Sequence, residues 1–147
     1  MSLFNSINIS GTGLTAERFR MDVISKNIAN ANTTRTANGT PYRRQVVTFQ
    51  EKSSQPSFSH FIRKSMDSNH QRQGVEVTGV HNDPSPYKQV FDQGHPDANE
   101  EGYVLMPNVD TVTEMANMIS ASRAYEANIT AMNTTVNMAM RALEIGR

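Results

Sequence analysis

The sequence contains no cysteine among its 147 residues. This absence excludes disulfides, thiol catalysis and thiolate metal sites together. An excess of charge of either sign is also missing, because the formal net charge is zero at pH 7. The long-range attraction that drives binding to phosphate backbones or anionic lipid is therefore lacking. We do not expect nucleic acid as a partner.

Long hydrophobic runs are absent as well. No stretch approaches the roughly 18 apolar residues that a membrane span needs, so we predict no direct membrane insertion. The first ten residues, MSLFNSINIS, lack the basic region, apolar run and small-residue cleavage site of a secretory signal peptide. If the protein leaves the cytoplasm, we expect another route to carry it.

Charge is nearly missing from two long helical patterns at the ends of the chain. No charged residue lies between Glu126 and Arg141, and no charged side chain precedes Glu17. Apolar residues in both patterns recur in alternating steps of three and four, the a/d spacing of a coiled coil. A solvated helix face normally carries Lys and Glu, whereas here the other positions are Ala, Ser, Thr and Asn. We infer that both helices are surrounded by protein on most sides.

The region between the helices carries the proline and glycine turn signals of short strands. Strand candidates lie at 42–50, 75–80, 87–92 and 102–106. We therefore predict an α+β fold with an N-terminal helix in residues 1–32 and a small β-rich middle region in 33–108, with a flexible segment at 50–72. The C-terminal helix occupies 109–147, and a capping box from Thr111 to Glu114 is predicted to start it.

The candidates for chemistry are weak. No two of the four histidines have the i, i+4 spacing of a helical metal site, and Gly11-Thr12-Gly13 lacks the third glycine of a dinucleotide loop. Of the basic pair Arg43 and Arg44, we predict that one is an exposed strand residue and the other a salt-bridged one, rather than a nucleic-acid contact. We predict no catalytic residue, no metal site and no cofactor, and hence no enzyme.

Two groups of residues resemble a known family. Residues 25–33 (SKNIANANT), followed by Tyr42-Arg43-Arg44, resemble the amino-terminal signature of bacterial flagellar rod and hook proteins. Residues 95–98 (HPDA), 102–104 (GYV), 107–110 (PNVD) and 114–128 (EMANMISASRAYEAN) are similar to the carboxyl-terminal part of the proximal rod members. The resemblance covers essentially the whole chain, which lacks the larger middle domain of distal rod and hook proteins.

The resemblance implies a structural subunit of the proximal rod of the flagellar basal body, in the cell envelope. It implies export in an unfolded state by the flagellar type III apparatus, without a cleavable signal peptide. It also implies that the terminal helices pair as an antiparallel coiled coil lining a tube. The implied partners are copies of the chain itself, the export apparatus, and the rod proteins FlgB, FlgF, FlgG and FliE.

The helical seams and the amino-terminal motif together predict an assembly interface. Its members are Leu14, Met21, Ile24, Asn27, Ile28, Asn30, Met115, Met118, Tyr125, Ile129, Met132, Val136 and Leu143. We further expect residues 1–32 and part of 111–147 to be largely disordered in the isolated monomer, because a thin apolar stripe needs neighbours to offset the entropy of ordering.

A competing interpretation is a soluble helical adaptor or secretion chaperone that acts as a free dimer. Such a protein needs a charged outer helix face to stay soluble, and the sequence does not provide one.

Overall fold

The computed structural model describes residues 3–52 and 74–145, and it confirms the predicted α+β class. The predicted segment 50–72 lies, from residue 53 onward, outside the described residues. All four predicted strands are present, with ends that agree with the prediction or differ from it by at most three residues. The elements in chain order are α1 (Leu3–Ala29), β1 (Gln45–Glu51), β2 (Val75–Asn82), β3 (Lys88–Phe91), β4 (Tyr103–Met106) and α2 (Thr111–Ile145).

The strands form two separate antiparallel pairs. In the first pair, β1 lies beside β2 from Gln45 opposite Asn82 to Glu51 opposite Val75, and the register shifts between Thr48 and Phe49. In the second pair, β3 and β4 form a hairpin in which Phe91 lies opposite Tyr103. A two-stranded sheet is marginal on its own, so each pair depends on the rest of the chain for its stability.

Helix α1 occupies the centre of the fold. It contacts α2 and both strands of the first sheet, whereas α2 contacts only α1 among the described helices and strands. One fixed contact joins α1 to β2, where the Thr12 hydroxyl accepts a hydrogen bond of 3.2 Å from the Val75 amide. Gly74 beside it has φ +94°, and a Cβ there would lie 2.1 Å from Thr12 Oγ1. Only glycine fits this close approach of strand and helix.

Successive contacts between the two helices move toward the start of α1 as they move toward the end of α2. Asn27 near the end of α1 meets Glu114 in the first turn of α2. Gly13 in the first half of α1 faces Asn128, whose side chain would lie 3.2 Å from a Cβ at that glycine. The same register places Leu3, the first residue of α1, level with Met138. The last turns of α2 therefore extend past α1.

The capping box predicted for Thr111 is wrong, although the helix does begin at Thr111. Asp110 caps the helix instead: its backbone carbonyl accepts from the Glu114 amide at 2.9 Å, and its carboxylate accepts from the Thr113 hydroxyl. That hydroxyl, together with the backbone amides of Val112 and Thr113, lowers the pKa of Asp110. Glu114 is thereby free to turn its carboxylate away from the helix end.

Neither described helix combines the length and the apolar character that crossing a bilayer requires.

Candidate assembly interface

Asn27 is the centre of a buried polar cluster where the end of α1 meets the start of α2. Its side chain is 1% exposed and uses its full hydrogen-bonding capacity. Nδ2 donates to the Gln45 carbonyl at 2.8 Å and to Glu114 Oε2 at 2.9 Å. Oδ1 accepts from the Tyr42 hydroxyl at 2.9 Å and the Gln45 amide at 3.0 Å. Four bonds from one side chain thus join α1, β1 and α2.

Glu114 brings a buried negative charge into the cluster. It is 1% exposed, and its Oε1 accepts from Arg44 Nε at 2.9 Å and from Nη2 at 2.8 Å. The third guanidinium nitrogen, Nη1, donates to Asp83 Oδ2 at 3.0 Å. One arginine therefore compensates two carboxylates from different parts of the chain, the arrangement that makes burial of a charge tolerable.

The electrostatics of the cluster follow from these contacts. Burial alone would lower the pKa of Arg44, but the hydrogen bonds and charges of Glu114 and Asp83 outweigh it and raise the pKa. Burial, with a smaller contribution from the charge of Glu114, raises the pKa of Tyr42. Hydrogen bonds from the Ser85 hydroxyl and amide, and then from Arg44, lower the pKa of Asp83 to about 2. The tyrosine thus stays neutral while the arginine stays charged.

Asn108 extends the cluster to the loop before α2. Its Oδ1 accepts from the Arg44 amide at 2.8 Å, and its Nδ2 donates to the carbonyls of Asp83 and Ser85. The polar groups of these residues bond to one another, so the arrangement fixes the positions of the structural elements that carry them. We call this set the junction cluster: Asn27, Tyr42, Arg44, Asp83, Asn108 and Glu114.

The covered face of α2 differs from the predicted seam in half of its positions. Four positions of the predicted seam are at least partly covered, as the spacing predicts: Met118, Tyr125, Met132 and Ala139. Three other seam positions, Met115, Ile129 and Val136, are exposed. The covered residues there lie one position earlier in the sequence or at the same spacing: Glu114, Ala121, Asn128 and Thr135. Small and polar residues face α1 closely, so the larger apolar neighbours point outward.

Burial of the predicted interface residues in a single chain falls into three groups. Ile24 and Asn27 are buried, and Met115, Ile129, Val136 and Leu143 are exposed. The remainder are half-buried: Leu14, Met21, Ile28, Asn30, Met118, Tyr125 and Met132. Their role in assembly stays a prediction, since burial within one chain says which residues are already covered and not what covers the others.

The last turns of α2, residues 138–145, form a segment that we call the tail. Leu143 is 78% exposed, and Met138 and Met140 are exposed as well. Together with Val136, Met140 and Leu143 recur at the i, i+4, i+7 spacing of one helix face. Contiguous exposed apolar faces of this kind are uncommon on monomeric soluble proteins.

An open groove lies between the β3–β4 hairpin and the loop after α1. It encloses about 690 Å³, and we call it the hairpin groove. The apolar residues that line it are Pro41, Pro96, Ala98, Tyr103 and Leu105, and the polar residues that line it include Thr34, Arg35, Gln89, Asp97, Asn99 and Glu101. Within residues 3–52 and 74–145, no three His, Asp or Glu side chains come together as metal ligands.

The junction cluster is the feature that sequence reasoning missed. Its signal was available, because Asn27, Tyr42, Arg44, Asn108 and Glu114 all belong to the motifs that carried the family resemblance. The salt bridge expected for one residue of the basic pair is confirmed, and Arg44 is the residue that forms it. The exposure expected for the other is wrong, since the guanidinium carbon of Arg43 lies 4.6 Å from the centre of the Tyr87 ring and the side chain is half-buried.

Two family models match the ends of the chain. Residues 7–35 match the family described as Flagella basal body rod protein. Residues 100–145 match the family described as Flagellar basal body rod FlgEFG protein C-terminal. These matches contain α1 and α2 almost completely, and they include both Asn27 and Glu114.

Similar proteins from several bacteria align along the full chain. A flagellar basal-body rod protein FlgC of Bacillus subtilis is 48% identical, with 100% of both chains covered. A protein of the same name from Borreliella burgdorferi is 49% identical over 99% of this chain and 98% of its own. One from Salmonella typhimurium is 37% identical with 100% of both chains covered. Identity at this level over the whole length identifies the family.

Proposed function

The chain belongs to the FlgC family of flagellar basal-body rod proteins, and we propose that it is a structural subunit of the proximal rod. In this role it packs with copies of itself and with related subunits into a helical tube. The tube transmits motor torque and forms part of the export channel. The contribution of the chain is mechanical and not catalytic.

The exposed apolar side chains in the uncharged stretch of helix α2 are the observation that carries this proposal. Between Glu126 and Arg141 the helix has no charge, yet Ile129, Val136 and Met138 are exposed. A monomer in water gains nothing from such a surface, whereas a subunit surrounded by neighbours buries it at about 25 cal/mol per Å². Contacts between unlike faces of identical subunits build an open helix when the rotation does not close.

The two helices are proposed to pair as an antiparallel coiled coil within each subunit. Support comes from the contacts of Asn27 with Glu114 and of Gly13 with Asn128, which run in opposite directions along the two helices. The covered positions of α2 also alternate in steps of four and three. The coiled coil would then place its small-residue seam inside the subunit and its larger apolar residues toward neighbours.

The proposed partners are the rod proteins FlgB, FlgF, FlgG and FliE, together with the flagellar type III export apparatus. The proposed location is the basal body in the cell envelope, reached without a cleavable signal peptide.

The competing interpretation, a soluble adaptor or secretion chaperone working as a free dimer, is not favoured. The full-length relatives are named as rod proteins, and the exposed positions of α2 between Glu126 and Arg141 lack the charges that a free helical dimer needs.

Complementation of a bacterium that lacks its own rod protein of this family tests the proposal. The unchanged chain is expected to restore motility, and Ile129→Lys is expected to abolish it because a lysine would be buried without a partner between subunits. Val80→Lys is the matched control: Val80 is 38% exposed and Ile129 is 37% exposed, but Val80 lies in β2 and not on a terminal helix.

Motility of the Ile129→Lys strain would contradict the proposal. A folded soluble chain with Ile129→Lys, shown by unchanged far-ultraviolet circular dichroism, separates failed assembly from failed folding. Met132→Lys is a less clean variant, because Met132 is half-buried in the single chain and its replacement also disturbs the contact with α1.

A further inference from the structure

The segment between α1 and β1 contains the only Asn-Gly pair of the sequence, Asn38-Gly39. The backbone nitrogen that follows an asparagine can attack the carbonyl carbon of its side chain, and glycine hinders that nitrogen least because it has no Cβ. The Asn38 side chain is exposed. A Cβ built on Gly39 would find no atom within 4 Å, so the space around the attacking group is open.

Asn38 lies at the tip of a tight turn. The Gly39 amide donates to the Thr36 carbonyl at 2.9 Å, and the Thr36 amide donates to the Thr40 carbonyl at 2.9 Å. Gly39 has φ +75°, whereas the φ of Asn38 is not positive. A type I turn followed by a glycine in the left-handed region is a common three-residue hairpin loop, and asparagine and glycine suit its last two positions.

The turn also restrains the reaction. The hydrogen of the Gly39 amide is held by the Thr36 carbonyl, so the nitrogen is free to attack only when this bond opens. The Thr36 hydroxyl closes the turn a second time, because it donates to the Thr40 carbonyl at 2.8 Å. This second bond is exposed, and surface turns of this kind open at a lower free energy than the core of a domain.

Asn99 provides an internal comparison, because it is also an exposed asparagine in a turn. It is followed by Glu100, whose side chain hinders the backbone nitrogen. Its Oδ1 accepts from the amides of Glu101 at 3.1 Å and Tyr103 at 2.8 Å, which holds the side-chain carbonyl in place. Exposure alone therefore does not distinguish the two sites, whereas the following residue and the side-chain bonds do.

We propose that Asn38 is a site of spontaneous covalent modification, at which the side-chain amide becomes a carboxylate through a cyclic imide, and that the turn sets its rate. The Gly39 nitrogen gives its proton to water and forms a bond to Cγ of Asn38, and the side-chain nitrogen leaves as ammonia. Water then opens the ring. Breaking the new bond yields aspartate, and breaking the original peptide bond yields isoaspartate. In sum, an amide and a water become a carboxylic acid and ammonia.

The product changes the charge of the hairpin groove, and this effect goes beyond the proposed function. Gly39 lines the groove together with Arg35, Asp97 and Glu101. A carboxyl group with an ordinary pKa of about 4 is ionised at neutral pH, so the formal net charge of the chain becomes negative instead of zero. Isoaspartate also adds one carbon to the backbone of the turn, which disturbs the spacing of its hydrogen bonds.

Ageing of the purified full chain at mildly alkaline pH, followed by tryptic digestion and mass spectrometry, tests the proposal. Cleavage after Arg35 and Arg43 releases a peptide with Asn38 as its only asparagine and with no glutamine. We expect this peptide to gain the mass difference between an amide and a carboxylic acid, and to separate into aspartate and isoaspartate forms. Asn99, located by fragmentation, should convert more slowly. A sample digested without ageing corrects for conversion during digestion.

Two variants test whether the turn sets the rate. Thr36→Val removes the hydroxyl bond and should speed the conversion of Asn38 about two- to tenfold, the factor that corresponds to one hydrogen bond. Ala37→Pro should slow it, because Ala37 is exposed and proline pre-sets φ at the first central position of a type I turn. Rates in concentrated urea, where the turn is absent, correct for the altered neighbours. Asn38→Gln is the control, since its attack would need a larger ring.

Both isomers at Asn38, with faster conversion in Thr36→Val and slower conversion in Ala37→Pro, support the proposal. Conversion of Asn99 before Asn38, or aspartate without isoaspartate, overturns it. Equal rates in the two variants and the unchanged chain overturn the role of the turn. If a variant does not fold, the unchanged chain decides: it should convert faster in urea than in the folded state, and equal rates contradict the proposal. None of these results bears on the rod function.

Discussion

The first turns of α2 and its last turns differ in what covers them. At the start, Glu114 is 1% exposed and bonded to Arg44 and Asn27. At the end, Leu143 is 78% exposed and lies beyond the reach of α1. One helix therefore begins in a site that the chain completes by itself and ends in a surface that the described part of the chain leaves exposed. On the proposed function, folding depends on the first turns of this helix and assembly on its last turns.

The largest expected effect comes from removing the partner of Glu114 in the first turns of α2, which we call the covered end of the helix. Arg44→Ala leaves the Glu114 carboxylate buried without its cation, which we expect to lower the free energy of unfolding by about 3–5 kcal/mol. Leu143→Lys at the open end is expected to change it by less than about 0.5 kcal/mol. Urea denaturation of the purified variants measures both, and similar losses in the two variants would remove the distinction between the ends.

Acid is expected to weaken the covered end selectively. The folded pKa of Asp83 is about 2, below its usual 3.8, so its contribution to stability is present above the usual pKa and is lost as pH falls through the folded one. The free energy of unfolding should therefore decrease between about pH 5 and about pH 2, and less steeply in Asp83→Asn. Ser85→Ala, which removes the hydroxyl 2.6 Å from Asp83, should fall between them. Identical slopes in all three proteins would contradict this account.

The smallest expected effect concerns the contact midway along the helix pair. Gly11 has open space around it, whereas a methyl at Gly13 would lie 3.2 Å from the Asn128 side chain. Gly11→Ala is expected to raise the free energy of unfolding by about 0.5–1 kcal/mol through helix propensity. Gly13→Ala should gain less or lose stability, because Asn128 must shift. Equal gains in thermal melts would show that the helices are not in contact there.

Periodicity and turn chemistry predicted most of the fold. The two helices and four strands follow from apolar spacing and from the glycine and proline signals between them, because those patterns are local. The phase of the α2 seam was half wrong for a physical reason. Apolar spacing selects Met115, Ile129 and Val136, but the close approach of α1 favours the smaller or polar residues one position earlier, which include Ala121 and Asn128.

The junction cluster could not be predicted from spacing alone. Asn27 and Glu114 are 87 residues apart in the chain, and no local pattern indicates that a carboxylate in the first turn of a helix will bond to a distant arginine. Glu114 instead fits a capping box, which is the local alternative for its side chain. The tertiary partner prevailed because Asp110 already caps the helix.

Hydrogen exchange along α2, in the isolated chain and in purified rods, tests the central claim most directly. In the isolated chain, amides in the first turns of α2, from about residue 114 to 121, should exchange slowly because the junction cluster holds them. Amides in the tail should exchange rapidly in the isolated chain and slowly in the rod. Equal protection of both ends in the isolated chain, or a tail that stays unprotected in the rod, would contradict the account.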